Sequence, residues 1–457
     1  MSTENKLKAL RDFFDSGATK CYDFRKSQLL KLKAVVEKYE QEIYQALYID
    51  LKKSPEDCWA TENGLLIAEI NDAIAHLHHR MAPQKVKTNL LNLPSKSFII
   101  NEPLGVVLII SPWNYPLQLL LKPAVGAIAA GNCLVLKSSE FTPATSALMK
   151  KMMEETFDSN YILFTEGDGA TVVPEMMNQF VFDHVMFTGS TMVGKAIYQL
   201  AAQNLVPVTL ELGGKSPCLV EADADIKVAA KRIAAIKFSN CGQICIAPDY
   251  ILVHESVKNK LIQALKDTII QFYGRDVSEN DQYGKIINEK QFNRLIVYLN
   301  QGNILHGGQH NKSTLFIEPT LMDNIDLNSS IMKEEIFGPI LPIITFSEKE
   351  EALKIIALNK NPLAFYVFTT DKNKEKDWLN EVPFGGGCVN NTGLHFLNKN
   401  LPFGGRGFSG MGRYHGKFSF ETFSHQKSVL KSPNWFDPSM KYPPMKGKLS
   451  LLKKLIR

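Results

Sequence analysis

The sequence predicts an α/β protein, a doubly wound parallel sheet followed by a second α/β unit. Three observations carry this prediction. Between Gly105 and Leu212, short aliphatic runs alternate with segments at helical spacing. Runs such as Gly105–Ile110 lack polar alternation, as expected of strands buried on both faces. A second alternating series begins after Gly214. Strands separated by helices imply right-handed crossovers between parallel neighbours. At 457 residues the chain exceeds one simple core, so two or three domains are expected, interleaved or in series.

The elements follow in order. The first eighty residues are helical in pattern, with apolar residues at helical spacing over Gln28–Leu51 and Thr61–His79. Pro83–Asn101 is polar, extended and alternating, like an arm leaving the body. Strands are then expected at Gly105–Ile110, Cys133–Lys137, Tyr161–Thr165, Val181–Thr188 and Pro207–Leu212. Helices separate them, ending at Ala130, at Pro143–Thr156, near Val173–Phe180 and at Val193–Gln203. The second series runs through strand Cys218–Val220, helix 225–237, a loop carrying Cys241 and Cys245, strand Tyr250–His254 and helix Val257–Phe272. It resumes with a strand near Leu341–Phe346, a helix at Glu351–Asn359 and a strand at Phe365–Thr369. The glycine-rich stretches Phe384–Cys388 and Pro402–Gly412 read as loops, and the final 45 residues as a return onto earlier parts or another subunit.

Composition excludes several classes. With 45% hydrophobic and 22% charged residues the chain is an ordinary globular one. Seven scattered cysteines do not make a secreted disulfide framework and fit a reducing cytosol. The polar N-terminus lacks the apolar run of a signal peptide, and no apolar stretch reaches membrane-spanning length. The net charge of +5 is local. Residues 441–457 hold six Lys or Arg and no acid, leaving 46 basic against 47 acidic residues elsewhere, so no nucleic-acid footprint is expected. His76 and His79 share a helix face, but no third ligand accompanies them and no metal site is expected.

In a doubly wound sheet ligands bind beyond the carboxyl ends of the strands. The segments there are Asn114, Lys137 to Glu140, Gly189 to Gly194, and Glu211 to Gly214, which should share one crevice. Gly189-Ser190-Thr191-Met192-Val193-Gly194 follows a strand and opens a helix, so its amides suit a phosphate. A P-loop is excluded because Ala196 stands where a Ser or Thr would ligate magnesium. Lys137 and Glu140 suit ribose hydroxyls, although alone they read as a surface ion pair. Glu211 ends an apolar run and suits general-base work, Asn114 offers an amide to an oxyanion, and Glu335 precedes the aromatic Phe337 by two residues. Alone, each of these is a plain polar cap on a strand or helix end. Cys241 and Cys245 sit in a polar loop that favours a thiolate more than an apolar core does.

Together these residues form a set. Pro112-Trp-Asn114, Lys137-Ser-Ser-Glu140, Phe187-Thr-Gly-Ser190, Glu211-Leu-Gly-Gly-Lys215, Gly242-Gln-Ile-Cys245, Glu335-Ile-Phe-Gly-Pro339 and Pro402-Phe-Gly-Gly405 occur in the order and spacing of the aldehyde dehydrogenase superfamily, which the chain resembles from about residue 20 to about residue 430. It is most similar to the class 3 and fatty aldehyde dehydrogenases, through its early start, Gly242–Tyr250 and Tyr414–His425.

The resemblance implies an aldehyde-dehydrogenase-like α/β fold, with a Rossmann-type cofactor domain, an α/β catalytic domain and a small bridging arm. It assigns residues 1–82 and 104–210 to NAD binding, 211–410 to catalysis, 83–103 and 411–440 to bridging and oligomerisation, and 441–457 to a basic tail. It further implies that Cys245 attacks the aldehyde to give a thiohemiacetal, that Asn114 and the Cys245 amide hold the oxyanion, and that Glu211 activates the water that hydrolyses the thioester. Lys137 and Glu140 would hold the adenosine ribose, Gly189–Gly194 would lie by the pyrophosphate, and Glu335 and Phe337 would position the nicotinamide. The cofactor expected is NAD, because Glu140 repels a 2′-phosphate, with NADP as the second candidate. Medium- or long-chain aliphatic or aromatic aldehydes, a homodimer and a cytoplasmic location complete the expectation. The alternative is an enzyme passing its acyl group to coenzyme A, against which Glu211 argues. A binding protein reusing the fold would not need Cys245, Glu211 and Asn114 together.

Ser138 and Ile244 depart from the family pattern without removing a reacting group, and Ile244 adds bulk beside the nucleophile. Cys241 suggests a reversible Cys241–Cys245 disulfide under oxidation. In the tail, Leu449, Leu452, Leu455 and Ile456 share a helix face, with Lys446, Lys453 and Arg457 off it. Peripheral membrane contact, a solvated tail and a cover over the substrate entrance all stay open.

Overall fold

The aliphatic runs after Gly105 do form a parallel sheet. In the computed structural model, which describes residues 2–455, strands Val106–Ile110, Cys133–Lys137, Ile162–Thr165, His184–Thr188 and Val208–Glu211 pair in parallel. Across the sheet the order is Ile162, Cys133, Val106, His184, Val208, so the winding reverses between Val106–Ile110 and His184–Thr188. That reversal opens a crevice at the carboxyl ends. The segment leading to Asn114 and the Gly189–Gly194 turn leave from the two strands that flank it. Helix Pro116–Ala130 is buried along its whole length and lies in the main core, which explains its nearly uniform apolar sequence.

The second series forms a seven-stranded sheet with the order Asn303, Thr320, Ile340, Tyr250, Pro217, Ala364, Gly386, parallel except at the Asn303–His306 edge. Its own core gathers Trp378, Phe365, Tyr250 and Tyr283.

Two glycine-rich stretches expected to be loops contain strands. Gly386–Val389 pairs with Ala364–Val367, and Gly410–Met411 pairs antiparallel with Leu210–Glu211. The cause is close backbone approach. A Cβ on Gly387 would lie 2.2 Å from the Phe365 carbonyl oxygen, and one on Gly410 would lie 2.4 Å from that of Leu210. The helical pattern over Gln28–Leu51 divides at Tyr39 into Tyr22–Lys38 and Glu40–Leu51. The arm forms a three-stranded antiparallel sheet in which Lys96–Pro103 pairs with Gln84–Val86 on one side and Ser424–Lys431 on the other, so the C-terminal segment does return. Helix Leu449–Leu455 carries the basic tail; Ile456 and Arg457 of its expected faces lie outside the described residues. No helix among the described residues is long and apolar enough to cross a membrane.

Candidate active site

The carboxyl ends of the first sheet touch the segments that enter the amino ends of the second: Asn114 bonds to the loop that carries Cys245, and Gly213, two residues after Glu211, lies against Glu335. Those entering segments bear Gly213, Cys245 and Glu335.

The thiol loop owes its shape to three successive residues with left-handed backbone, Asn240 (φ 47°), Cys241 (φ 52°) and Gly242 (φ 71°). At Gly242 a Cβ would lie 2.3 Å from the Gly338 carbonyl oxygen, so glycine is required there. The reversal separates the thiols. Cys241 is fully buried in the core of the second sheet, and this burial pushes its thiol up to about 12 against the opposing hydrogen bond with Tyr283. Cys245 is half-buried and packs, with Ile244, against the other core. The two thiols pack against different cores and Cys241 is closed to solvent, so the Cys241–Cys245 disulfide suggested by the sequence requires the loop to open.

Burial pushes the Cys245 thiol up to about 12, and the charges of Glu335 and Glu211 add to this; the backbone N–H groups of Cys245 and Ile246 oppose it by favouring a thiolate. The loop is clamped by Gln243, a fully buried side chain. Its amide nitrogen donates to the carbonyls of Asn240 and Lys285 at 3.0 Å each, and its oxygen accepts from Ile287 N–H at 3.0 Å.

Asn114 is locked to this loop in both directions. Its Nδ2 donates to the Gln243 carbonyl at 2.9 Å, and its own carbonyl accepts from Asn240 Nδ2 at 2.9 Å. A primary amide has a second N–H to offer. Glu211 stands differently. It is 2% exposed, and no protein group donates to either carboxylate oxygen. Desolvation raises its pKa well above the ordinary carboxylate value. Tyr414 is buried within range of the charges of both Glu211 and Cys245.

Glu335 lies against Gly213, where a Cβ would fall 1.9 Å from its Oε2; only glycine leaves room for the carboxylate. Burial, then the Asp249 charge, pushes it up to about 8, while the Gly214 amide opposes the rise. The segment is anchored by a buried Lys215–Asp249 ion pair: Lys215 Nζ donates to the Glu334 carbonyl at 2.9 Å, and Asp249 accepts from Ile336 N–H at 2.8 Å. Arg294 donates to the carbonyls of Glu335 and Ile336 at 3.1 and 2.7 Å. Phe337 has φ 47°, and its ring meets Trp113 edge-on at 5.2 Å.

Ser190 caps helix Thr191–Ala202, its Oγ accepting from Val193 N–H at 3.4 Å. Met192 and Val193 are exposed, whereas Gly194 is buried against Leu212, 2.6 Å from a would-be Cβ. A cavity of about 400 Å³ joins Thr191 to Gly213, Gly214, Glu335 and Phe408, and so spans the two sheets. Lys137 is buried and donates to the Ser138 carbonyl at 2.6 Å. Glu140, 3.4 Å from the ammonium, is partly exposed and accepts from Gly169 N–H at 3.2 Å.

The structure thus brings Cys245, Asn114, Glu211 and Glu335 together, and Thr191 joins Glu335 across the cavity. Lys137 and Glu140 stand at the end of the strand on the other side of Val106–Ile110. Sequence reasoning missed the clamps. Gln243 and Lys215 were visible only as letters within motifs, and Asn240, Asp249 and Arg294 carried no signal, because their partners, mostly main-chain groups, are remote in sequence.

A profile of the aldehyde dehydrogenase family matches residues 4–429. The chain is 47% identical to 4,4′-diaponeurosporen-aldehyde dehydrogenase of Staphylococcus aureus, with 98% of each chain covered. It is 43% identical to aldehyde dehydrogenase family 3 member H1 of Arabidopsis thaliana, covering 99% of this chain and 94% of that one. Among solved structures, a substrate-bound state of Staphylococcus aureus AldH aligns over 100% of both chains at 46% identity, with a TM-score of 0.97. An indole-3-acetaldehyde dehydrogenase in complex with NAD+ aligns at 27% identity and a TM-score of 0.84, covering 94% of this chain and 88% of that one.

Proposed function

The chain belongs to the aldehyde dehydrogenase family, and from that premise we propose that it oxidises medium- or long-chain aliphatic or aromatic aldehydes to carboxylic acids with NAD, through a thiohemiacetal and a thioester on Cys245. The observation that carries this reading is the pairing of one half-buried thiol with one desolvated carboxylate: Cys245 feels the charge of Glu211, and no protein donor engages that carboxylate.

The residues fit the cofactor. Helix Thr191–Ala202 offers first-turn N–H groups to a pyrophosphate, Val193 N–H alone being taken by Ser190. Lys137 and Glu140 offer a donor and an acceptor to a ribose. The cavity without side chains at Gly213 and Gly214 leads to Glu335. When bound, NAD supplies the hydride acceptor. Its use is also supported by the NAD+ complex of the indole-3-acetaldehyde dehydrogenase.

The chain's own groups then act in sequence. Cys245 at neutral pH is a thiol, so its proton leaves to solvent as sulfur bonds to the carbonyl carbon, and Glu211 stays free for the hydrolytic step. The second N–H of Asn114 and the Cys245 amide hold the resulting oxyanion. After loss of hydride the thioester remains, and Glu211 takes a proton from water as its oxygen adds to the acyl carbon. The C–S bond breaks as the departing sulfur takes the proton held by Glu211, which releases the acid and restores the thiol and the carboxylate.

On the same reading, residues 1–82 and 104–210 serve the cofactor, 211–410 the chemistry, and 83–103 with 411–440 a homodimer contact. The exposed edge strand Ser424–Lys431 supports that contact. The basic helix Leu449–Leu455, with Trp435 and Tyr442 exposed before it, supports peripheral contact with an anionic membrane. Liposome co-sedimentation of the full chain and of a 1–440 form tests that contact, and equal partitioning removes it.

The function is tested by rates over aldehydes of increasing chain length with NAD or NADP and no coenzyme A. Acid and NADH formed in equal amounts, faster with longer chains, support the reading; dependence of acid release on coenzyme A contradicts it.

A further inference from the structure

A buried ion pair lies behind Asn114. Lys53 Nζ and Glu62 Oε1 are 2.8 Å apart, and both side chains are 0% exposed. Lys53 follows helix Glu40–Leu51, and Glu62 lies in a π-helical turn, Trp59–Asn63, that opens helix Gly64–Met81. Such turns recur at functional positions. An ion pair in a dry interior rarely adds stability over apolar residues of the same size, so stability alone does not account for this one.

Its remaining contacts do. Glu62 Oε2 accepts the backbone N–H of Gln118 at 2.8 Å. Gln118 stands in the first turn of helix Pro116–Ala130, where N–H groups lack intrahelical partners and a carboxylate is favoured by the dipole. Lys53 Nζ lies 3.8 Å from the centroid of the Tyr115 ring, a cation–π contact strengthened by the absence of water. Tyr115 directly follows Asn114 in the chain, and Gln118 comes one helical turn later.

We propose that Lys53 and Glu62 are positioning residues for Asn114: the pair fixes Tyr115 and the first turn of the next helix, and so sets the direction in which the Asn114 amide is presented to the thiol loop. The proposal rests on the assignment of Asn114 as oxyanion donor. From the loop, Asn240 and Gln243 hold Asn114 through its carbonyl and its Nδ2; the ion pair holds the residues that follow it, Tyr115 and Gln118.

The test is a mutant cycle of Glu62→Gln, Asn114→Ala and the double variant in the full-length enzyme with saturating NAD. Rates are expressed per active site, with sites counted by stoichiometric alkylation of Cys245. Asn114→Ala lowers kcat by about 100-fold or more. Glu62→Gln lowers it by about tenfold with the KM for NAD unchanged, and the double variant is no slower than Asn114→Ala alone. Multiplication of the two losses in the double variant overturns the proposal and leaves the role of Asn114 standing. An unchanged kcat in Asn114→Ala removes the oxyanion assignment itself, and the proposal with it. A merely structural pair lowers the number of titratable sites without changing the rate per site, which also overturns it. If Glu62→Gln does not fold, Lys53→Met/Glu62→Gln, which removes both charges, takes its place in the cycle with the same expected result.

Discussion

The two sheets bring their groups to the crevice by opposite means. On the first, Glu211 arrives as the last residue of a strand, held by ladder pairing on both sides, and its carboxylate has no hydrogen-bond donor. On the second, Cys245 and Glu335 arrive on irregular segments ahead of their strands, where polar side chains tie the backbone down: buried Gln243 for the thiol, and buried Lys215 and Asp249 with half-buried Arg294 for the carboxylate. The difference teaches where rigidity comes from. A strand end is fixed by its neighbours and leaves its side chain free for chemistry, whereas a loop with left-handed residues must be fixed by hydrogen bonds to its own main chain.

Perturbing each side sharpens the contrast. The largest effect is expected for Cys245→Ser, a loss of about 10⁴-fold or more in kcat/KM with NAD affinity retained; NAD titration by fluorescence beside steady-state rates checks it. Next is Gly213→Ala, whose methyl group takes the place of the Glu335 carboxylate. It lowers kcat by about tenfold, and Glu335→Gln in the same chain adds no further loss, because both disturb one contact. If the two losses multiply, Gly213 does not act through Glu335.

A smaller effect concerns pH. The folded pKa of Glu335 is raised to about 8, so its contribution to stability is present at low pH and is lost as pH rises through that value. Glu335→Gln cannot ionise, so between pH 5 and 9 the wild-type Tm should fall by about 2 °C more than that of the variant. Parallel melting curves contradict the assigned shift. Least of all, Cys241→Ser leaves the rate and reversibility of peroxide inactivation unchanged, since Cys241 is closed to solvent and faces the other core.

The contrast also explains what was legible. The first sheet could be read from aliphatic runs and helical spacing, because hydrophobic burial on two faces writes itself into consecutive residues, and the rule for ligands at carboxyl ends then grouped Asn114, Lys137, Gly189 and Glu211. Cys245 and Glu335 were legible only through family motifs, since no general rule places chemistry at strand amino ends. The clamps were illegible for the reason given by Gln243, whose three partners are main-chain groups up to 44 residues away. Gly387 and Gly410 misled because a glycine needed for close backbone approach looks, as a letter, like one needed for a turn. The backbone reversal at Asn240 to Gly242, which puts Cys241 and Cys245 against different cores, has no signature in their spacing.

The central claim is that Glu211 is the free base that hydrolyses the thioester on the clamped thiol, and it is tested most directly by rapid mixing of the Glu211→Gln variant with aldehyde and NAD, followed by mass analysis of the quenched protein. The expected result is at most one NADH per site, slow turnover thereafter, and an acyl adduct on the peptide carrying Cys245. Undiminished steady turnover with no adduct on Cys245 would contradict it.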